Sequence, residues 1–512
     1  MVKAIGIDLG TTYSAVSILS ETGQPIILEN QDGDKLTPSV VFFQTVDGKD
    51  EPLVGIQAKN FAATQPDNVV QYVKRQIGDP NWKFDSLSDH SYSAEEISAI
   101  ILKRLKEGAE NALGHEVTDA VITVPAYFDD ARRVATRQAG EIAGLNVLRV
   151  LNEPTAAALA YGLSSDKSET VLVYDLGGGT FDVTLMKIEN GHFDVLGTDG
   201  DRNLGGFDFD NALAMLIAEK MEAEGAEGVI VDPDFAGMLR EKAEATKRSL
   251  TTIEKTNVFL DYKGKPYKIS LTREEFEKET EGLVQRTQEI LEDVIEEAQL
   301  SWEQVDHVLL VGGSTRMPMI RANLEKNLGR SIQYSINPDE AVATGAAIQA
   351  ALEAVNQGVE TEPVLLGIAG KIEVSDVTSQ ALGVLALSPE TGNEMNSIII
   401  PKNAKIPSKH EEVFSTVSDN QASIRVQVTQ GDDIDPEFVT IIGESTINLP
   451  GTWPKNTPIK ITFHYDIDQT VFVEVYDQND TLVGHFEIER TANMSSTDLQ
   501  LASMKIQNLT ID

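Results

Sequence analysis

Two segments that lie far apart in this chain repeat the same pattern. The first covers Ile5–Ile18 and the second covers Val171–Leu185. In each, an apolar strand leads into Asp-Leu-Gly, then into a tip of glycine and threonine, then into a strand with alternating apolar residues. This pattern predicts a β-hairpin, because an alternation with period two marks a half-buried strand and glycine marks the turn. We therefore expect two similar hairpins whose tips face each other.

The tips of these hairpins carry groups that suit phosphate binding. Glycine lets a backbone come within contact distance of an anion and adopt positive φ, and the tips also offer N–H groups and small hydroxyls. The aspartates at the hairpin entrances, Asp8 and Asp175, suit a hydrated Mg²⁺. A single Gly-Thr tip is more often only a tight turn. The duplication, with Asp at the same place in each copy, favours a polyphosphate site gripped from both sides.

The composition limits the class of protein. A chain of 512 residues is too long for one core, and such a length indicates roughly two to four domains. The absence of cysteine excludes disulfides, thiol catalysis and cysteine-bound metals. The net charge of −39 argues against nucleic-acid binding, which needs clustered Lys and Arg. The same charge fits high solubility or a saline habitat, and composition does not decide between them.

Membrane and export signals are missing from the sequence. No stretch approaches the apolar length of a membrane span, and the start, Met1–Ala4 followed by a core strand, does not resemble a signal peptide. We therefore expect a cytoplasmic protein with no membrane partner and no nucleic-acid partner.

Strand and helix patterns alternate over residues 1–358, which predicts an α/β domain with helices covering mixed sheets. Helical periodicity covers Ala94–Leu113, Ala131–Ala143, Phe207–Glu224, Asp234–Leu250, Arg273–Ala298 and Asp339–Ala354. Apolar strand patterns cover Ala120–Val124, Val171–Tyr174 and His307–Val311.

The pattern changes after Gln357-Gly358. Residues 359–378 are predicted to be an interdomain linker. Over 379–494, β-rich runs separated by turn signals predict an antiparallel β-sandwich. The last segment, 495–512, is predicted to be a short helix or tail, with a capping box Thr497-x-x-Gln500 at its start.

Further clusters suit the nucleoside side of a nucleotide site. A strand, a Gly-Gly turn and a helix start contain Gly312, Gly313, Ser314 and Arg316. The glycines would let a flat base or a phosphate lie against the backbone, and an ordinary strand-to-helix turn is the equally weighted alternative. Glu244, Lys247, Arg248 and Thr251 share one face of a predicted helix. They suit ribose hydroxyls and adenine stacking, although taken by themselves they are more often a solvated charged helix face.

Glu153 stands at the end of a predicted strand, directly before a helix. A carboxylate there would order a metal-bound water, or it would simply offset the charge of the helix N-terminus.

A set of segments in order along residues 1–358 resembles the heat-shock 70-kilodalton chaperone family, of the DnaK type. The segments are IGIDLGTTYS, VKRQIG, VITVPAYFDDARR, LNEPTAAALAYG, YDLGGGTFDV, LGGFDFD, VLLVGGSTRMPM and NPDEAVATGAA. Actin and sugar kinases share the duplicated hairpins but do not carry the whole set. Asp376–Thr378, Ile406–His410, Val413–Thr416 and Asp419–Gln421 resemble the same family's peptide-binding domain. The resemblance implies a two-lobed actin-like ATPase domain, which is a duplicated ribonuclease-H-like fold, followed by an antiparallel β-sandwich.

The resemblance also implies ATP or ADP with Mg²⁺ in a cleft between the lobes. Asp8 and Asp175 would hold Mg²⁺ through water. Lys74 matches the lysine that orients the attacking water and balances charge, although from the residues alone Lys74-Arg75 is predicted to be surface charge. The catalytic set would be Lys74, Glu153, Asp175, Thr180 and Asp182. The nucleotide-binding set would be Asp8, Gly10, Thr11, Thr12, Tyr13, Gly177, Gly178, Gly179, Thr180, Gly205, Gly206, Glu244, Lys247, Arg248, Thr251, Gly312, Gly313, Ser314, Arg316 and Asp339.

In the second domain, the resemblance implies a channel that binds extended apolar peptides by strand addition. The matching positions are Val384, Leu387, Phe414, Val417 and Ile424. Without the resemblance, these five apolar residues fit an ordinary sandwich core as well. The resemblance further implies a J-domain cochaperone, near whose docking surface Arg149 and Asn152 would lie, and a nucleotide-exchange factor.

The chain departs from the family in two places. The apolar run Val364–Leu366 is separated from Asp376–Thr378 by an insertion, so the linker is longer or rearranged and interdomain coupling is in question. The chain ends where a helical lid would begin, which predicts weak, rapidly exchanging peptide binding. We therefore expect an ATP-driven, lidless chaperone. The alternatives are a nucleotide-gated regulator or scaffold with little hydrolysis, a sugar or small-molecule kinase, and an actin-like filament former, and the last two give the β-sandwich no role.

Overall fold

The computed structural model of this chain describes residues 4–20, 22–162, 168–333, 336–358, 372–466, 470–488 and 493–511. Strands and helices alternate up to residue 358. The strands are β1 (Ala4–Asp8), β2 (Tyr13–Leu19), β3 (Pro25–Ile27), β4 (Thr37–Pro38), β5 (Val40–Val46), β6 (Lys49–Val54), β7 (Val69–Gln71), β8 (Lys83–Asp85), β9 (Ser91–Ser93), β10 (Asp119–Val124), β11 (Asn146–Asn152), β12 (Glu169–Leu176), β13 (Phe181–Glu189), β14 (His192–Asp201), β15 (Lys255–Tyr262), β16 (Lys265–Thr272) and β17 (His307–Val311).

The helices of this part cover the faces of the sheets. They are α1 (Ile56–Phe61), α2 (Ala94–Leu113), α3 (Asp130–Ile142), α4 (Glu153–Gly162), α5 (Gly206–Ala223), α6 (Pro233–Thr252), α7 (Arg273–Glu279), α8 (Glu281–Glu297), α9 (Pro318–Leu328) and α10 (Ala341–Asn356). Among the residues described, every helix is too short or too polar to cross a bilayer.

Two sheets of the same design form two lobes. Lobe I (residues 4–162) has the strand order β11-β10-β1-β2-β3, and lobe II (residues 168–333) has the order β17-β12-β13-β14. In lobe I, β1 pairs antiparallel with β2 and parallel with β10. In lobe II, β12 pairs antiparallel with β13 and parallel with β17. Each lobe therefore carries one of the predicted hairpins beside a parallel neighbour, which is the duplicated, two-lobed α/β architecture expected from the sequence.

Helices α4 and α10 pack closely against each other and join the two lobes. A Cβ atom on Gly345 would lie 1.7 Å from the carbonyl oxygen of Ala156, and one on Gly6 would lie 2.1 Å from the amide nitrogen of Ala347. Only glycine permits approaches this close. The small residues of this region, which the sequence shows as alanine-rich helices, therefore set the distance between the sheets.

One predicted helix is divided in the structure. The pattern over Arg273–Ala298 predicts a single helix, but α7 ends at Glu279 and α8 begins at Glu281. The break falls at Thr280, which has φ −104° and ψ 9°, and whose hydroxyl donates a hydrogen bond to the Phe276 carbonyl. Hydroxyl bonds of this kind occur also at Thr136 and Thr246 inside unbroken helices, so the bond does not by itself end α7. The change lies in the backbone dihedral angles of Thr280, which helical periodicity does not reveal.

The second domain consists of strands. They are β18 (Glu373–Val377), β19 (Leu382–Leu387), β20 (Glu394–Ile400), β21 (Lys405–Ile406), β22 (Ser408–Ser415), β23 (Gln421–Gln430), β24 (Thr440–Trp453), β25 (Pro458–Tyr465), β26 (Val471–Tyr476) and β27 (Leu482–Glu487). Eight of them form a sandwich of two antiparallel sheets with the orders β20-β19-β23-β24 and β22-β25-β26-β27. In β25, the alternate residues Ile459, Ile461, Phe463 and Tyr465 are buried between the sheets, as the predicted pattern requires.

Strand β18 attaches the sandwich to lobe II. It pairs in parallel with β14, with His192 opposite Glu373 and Asp194 opposite Ser375, and it pairs antiparallel with β21. The lobe II sheet thus continues into the second domain. The apolar run Val364–Leu366 lies outside the described residues, and the strand that docks on the lobe is the more polar segment directly before Thr378.

The C-terminal helix α11 (Ser496–Gln507) lies against lobe I. Ala502 and Ile506 are buried in the core that α2 and the lobe I sheet form. The capping box predicted at Thr497 is wrong: the residue that caps the helix is Ser495, whose hydroxyl accepts a hydrogen bond from the Asp498 amide. Thr497 lies inside the first turn.

Candidate functional site

A cavity of about 500 Å³ lies between the two lobes, in the size range of small-molecule sites. Nearly all predicted nucleotide and catalytic residues line it. They are Asp8, Gly10, Thr11, Thr12, Tyr13, Lys74, Glu153, Asp175, Gly177, Gly178, Thr180, Gly206, Glu244, Lys247, Arg248, Thr251, Gly312, Gly313, Ser314, Arg316 and Asp339. Three predicted residues, Gly179, Asp182 and Gly205, lie just behind this lining.

The two hairpin tips meet across the cavity. A Cβ atom on Gly178 would lie 1.8 Å from the Thr12 hydroxyl, and one on Gly179 would lie 2.5 Å from the Thr11 methyl group. None of the glycines at 177–179 has a left-handed φ, so the sequence interpretation was wrong on this point. These positions need glycine because the opposing tip is so near. Positive φ occurs instead at Gly312, where φ is 81°.

A turn in lobe II supports the second tip from behind. The Gly206 amide donates to the Gly177 carbonyl at 2.9 Å, and the Phe207 amide donates to the Gly178 carbonyl at 2.8 Å. A Cβ atom on Gly205 would lie 2.6 Å from the Gly179 backbone. Gly205 and Gly179 therefore stack directly on each other, which explains why neither lines the cavity.

Buried carboxylates gather at the bottom of the cavity. Burial, followed by the negative charge of Glu153, raises the pKa of Asp8 to about 7. Burial followed by the same charge raises the pKa of Asp182 to about 7 and raises that of Asp175 well above its ordinary value. Lys74 forms an ion pair with Glu153, and its side chain is only 5% exposed. The interpretation of Lys74 as surface charge is therefore wrong, and its side chain lines the cavity.

This set of donors fits Mg²⁺. Carboxylates removed from water remain ionised only when a cation compensates them, and carboxylate and water oxygens are the ligands that Mg²⁺ prefers. Among the described residues, no three acidic or histidine side chains converge tightly enough to enclose an ion directly. A divalent cation near Asp8 and Asp175 would therefore keep much of its water.

Asp182 supports this cluster from its buried position. Its Oδ1 accepts a hydrogen bond from the Tyr127 amide at 2.9 Å. Tyr127 belongs to the loop after β10, so the bond joins lobe I to the base of the second hairpin.

The nucleoside side of the cavity is formed by α6 and the turn after β17. Lys247 donates to the Gly206 carbonyl at 3.0 Å and pairs with Asp210 at 2.8 Å. Arg316 is half exposed and pairs with Asp339 at the rim. Cation and carboxylate groups thus surround a slot whose floor is backbone at Gly312 and Gly313.

Several lining residues were missed from the sequence. Tyr72, Phe207 and Asp210 line the cavity, and Lys59 reaches Glu244 across its mouth. Tyr72 immediately precedes the VKRQIG segment, and Phe207 and Asp210 lie within LGGFDFD, so those segments held a usable signal. Nothing in the local sequence marks Lys59, because its partner Glu244 lies in the other lobe.

The five predicted peptide-binding residues differ in exposure. Val384 is 2% exposed and belongs to the sandwich core, as the alternative interpretation has it. Phe414 and Ile424 are partly buried against that core. Leu387 and Val417, at 50% and 53% exposure, are the members whose side chains present substantial apolar surface.

Arg149 and Asn152, expected near a J-domain docking surface, are buried in this arrangement. Arg149 pairs with Glu353, while Asn152 donates to Asp376 at 2.7 Å in the segment that leads into the sandwich. Both side chains are therefore occupied by contacts within the chain.

A comparison with known protein families bears on all of this geometry. A family model described as Hsp70 protein matches residues 4–509 of the chain. The match includes both hairpin tips, the cavity between the lobes, the β-sandwich and α11.

Proposed function

The chain belongs to the Hsp70 family of ATP-dependent chaperones, and on this premise we propose that it hydrolyses ATP in the cavity between its lobes to control peptide binding by its sandwich. The observation that carries the proposal is the meeting of two glycine tips above a set of buried carboxylates. A polyphosphate with a divalent cation is the ligand that this combination of amides and carboxylates suits.

We assign the chemistry to groups of this chain by their position. The tips at Thr11–Thr12 and Gly177–Thr180 would donate amide and hydroxyl hydrogen bonds to phosphate oxygens. Asp8 and Asp175 would hold Mg²⁺ through water, and the cation, when bound, neutralises phosphate charge. The buried ammonium group of Lys74, held by Glu153, would orient the attacking water and offset charge on the transferred group. Asp182, braced by the Tyr127 amide, would help to fix these waters.

For the sandwich, we propose binding of extended apolar segments. The exposed side chains of Leu387 and Val417 would contact the peptide, with Phe414 and Ile424 forming the wall beneath them. An extended segment gains main-chain hydrogen bonds by such strand addition and gains specificity from side-chain pockets. Because Leu387 and Val417 are about half exposed, we propose that the peptide leaves rapidly, since affinity differences among related complexes lie mostly in the dissociation rate.

Two partners complete the proposed cycle. A J-domain cochaperone would stimulate hydrolysis, and an exchange factor would speed the release of ADP. Asn152 is bonded to Asp376 in the segment that leads into the sandwich, so a J-domain would reach Asn152 only after that segment has moved. Arg149 pairs instead with Glu353 on α10, within the ATPase domain.

Single-turnover hydrolysis tests the enzymatic part. We expect the unchanged chain to hydrolyse bound ATP, and we expect Lys74→Ala to slow this step by about a hundredfold or more while ATP still binds. Lys220→Ala is the matched control, because Lys220 pairs with Glu275 inside lobe II. Equal rates for Lys74→Ala and the unchanged chain would contradict the assignment of Lys74.

The affinity for a fluorescent apolar peptide, measured with ATP and with ADP, tests the coupling. We expect weaker binding with ATP. A peptide affinity that responds to ATP when no hydrolysis is detectable would instead indicate a nucleotide-gated regulator or scaffold. An affinity that is the same with both nucleotides would contradict the coupling.

A further inference from the structure

Arg75 reaches from lobe I across the cleft to the second hairpin tip. Its Nε and Nη2 atoms donate to the Gly179 carbonyl at 3.1 and 2.9 Å. Its guanidinium also forms an ion pair with Asp208 at the start of α5, and its side chain is 12% exposed. Both partners belong to lobe II, so these contacts exist only while the lobes are together.

The three carbonyl groups of the glycine tip are held from two different directions. The Gly177 carbonyl accepts from the Gly206 amide and the Ser314 hydroxyl, and the Gly178 carbonyl accepts from the Phe207 amide. These donors are all in lobe II. The Gly179 carbonyl accepts from Arg75, which is in lobe I.

The Gly179 carbonyl belongs to the same planar peptide unit as the Thr180 amide. Holding the carbonyl therefore also fixes the direction of the Thr180 N–H and the starting position of its side chain. Thr180 lines the cavity, and it is one of the residues to which we assign phosphate contact. The hydrogen bonds from Arg75 to the Gly179 carbonyl therefore affect the position of Thr180 through the backbone.

Asp208 links Arg75 to the support behind the tip. Its Oδ2 accepts from Arg75 and, at 2.8 Å, from the amide of Gly205, the residue that stacks on Gly179. The guanidinium of Arg75 also lies 4.7 Å from the centre of the Phe207 ring. The planar fork of arginine makes these paired contacts, and lysine cannot reproduce them.

We propose that Arg75 is a positioning residue that sets the geometry of the second phosphate tip when the lobes close, and so makes hydrolysis conditional on closure. The inference rests on the proposed function of the cavity as an ATPase site. Arg75 need not touch the nucleotide for this role. Removing Arg75 would then lower the rate of hydrolysis much more than the affinity for ADP, because the nucleoside side of the cavity and the first tip remain intact.

Arg240 provides a matched control for this proposal. Its guanidinium lies 5.0 Å from the same Phe207 ring, on the side of lobe II, and its Nε donates to Asn211 at 3.0 Å. It therefore shares the aromatic contact of Arg75 without a bond to the tip.

Single-turnover hydrolysis of ATP already bound to the full chain tests the proposal. We expect Arg75→Lys to hydrolyse at least about tenfold more slowly, with a dissociation constant for ADP within about twofold, because only a transition-state arrangement is lost. Arg240→Lys should keep both values within about twofold of the unchanged chain. Adding Asp208→Asn to Arg75→Lys should lower the rate no further, since both act on the same contact.

A second variant guards against a general loss of structure. In Arg75→Ala, millimolar guanidinium should restore part of the hydrolysis rate, whereas Lys74→Ala should not respond to it. A wild-type rate for Arg75→Lys, an equal loss in Arg240→Lys, or no rescue of Arg75→Ala would each overturn the role of Arg75. Absence of hydrolysis in the unchanged chain would instead refute the ATPase function on which the proposal rests.

Discussion

Lys59 and Glu244 form an ion pair across the mouth of the cavity, with 3.1 Å between Nζ and Oε2. Lys59 lies on α1 in lobe I and Glu244 on α6 in lobe II. The pair does not stand alone, because Tyr13 accepts from Lys59 at 3.3 Å and from Arg248 at 3.1 Å. Burial alone would raise the pKa of Glu244, but the charges of Lys59 and Arg248 outweigh it and lower the pKa. Charged and polar side chains from both lobes thus span the mouth of the cavity.

This pair should limit the release of nucleotide. Replacing Lys59 by Met removes the contact between the lobes, and a partly buried pair of this kind contributes about 1 kcal/mol, or about fivefold in a rate. We expect ADP to dissociate about fivefold faster from Lys59→Met, measured by stopped-flow with a fluorescent ADP analogue. Lys220→Met, which breaks a pair within lobe II, should leave the release rate unchanged. Unaltered release from Lys59→Met would show that the pair does not limit opening.

The close approach of the tips should make Gly178 intolerant of any side chain. The Cβ atom of Gly178→Ala would overlap the Thr12 hydroxyl and would lie 2.9 Å from the Thr12 Cβ, so the tips would have to separate. We expect ATP binding, measured by calorimetry, to be at least about tenfold weaker. The reason is that an extra methyl group in a closely packed contact typically costs about 1–3 kcal/mol. Gly282→Ala, on α8 with open space around it, is the control and should bind ATP normally. Normal binding by Gly178→Ala would mean that the tips need not meet.

Docking of α11 on lobe I should depend on Lys505. Its Nζ donates to the Ser91 carbonyl at 2.7 Å and to Glu96 at 2.9 Å, and it lies 3.8 Å from the centre of the Tyr92 ring. We expect Lys505→Met to speed amide hydrogen exchange in α11 by about tenfold, because the lost charged bonds are worth about 1.4 kcal/mol or more.

The control for this measurement is Leu501→Met, one turn before Lys505 on α11, where the Leu501 side chain is 61% exposed. It should leave exchange unchanged. If Lys505→Met also exchanges at the original rate, then burial of Ala502 and Ile506 alone holds the helix in place.

Asp50 should stabilise lobe I over a defined pH range. Burial alone would raise its pKa, but hydrogen bonds from Ser86, His90 and Tyr92 outweigh burial and hold the pKa below its ordinary value of 3.8. A carboxyl whose pKa is depressed by folding stabilises the fold above its unfolded-state pKa and loses that contribution as pH falls through the folded-state pKa. Asp50→Asn should therefore unfold with about 1–2 kcal/mol less stability, since its three bonds weaken together.

Thermal unfolding of the full chain and of Asp50→Asn measures this contribution. The gap between their midpoints should stay constant from about pH 8 to about pH 5 and shrink only near and below the ordinary aspartate pKa. A gap that shrinks already between about pH 8 and about pH 5 would contradict a contribution governed by the ionised Asp50 carboxylate.

Some elements were predictable because their signals are local. The bounds predicted for α2 agree with the structure, where Ser93 and Glu96 form a capping box at one end and Gly114 adopts φ 73° at the other. Strand β17 likewise begins and ends where its apolar run does. The division between α7 and α8 was missed, because Thr280 fits the helical period and the change in its backbone dihedral angles leaves no trace in that period.

The environment of the charged groups was less predictable. Nothing in the sequence around Lys74 indicates that it is buried, because its partner Glu153 lies on a distant element of the same lobe. Lys59 and Arg75 find their partners in lobe II, at Glu244, Asp208 and Gly179. Such contacts depend on how the lobes approach each other, which no short window of sequence records.

The two hairpins, the order of strands and helices, and the residue types available for phosphate and cation all follow from local sequence patterns, because periodicity, turn chemistry and caps act over a few neighbouring residues. Which of those residues meet depends on the packing of the two lobes, which places Gly178 against Thr12, buries Lys74 beside Glu153 and brings Arg75 to Gly179. The physical reason is that burial and close approach arise from packing between segments far apart in the chain. The residues therefore form a binding site only when the two lobes are packed together.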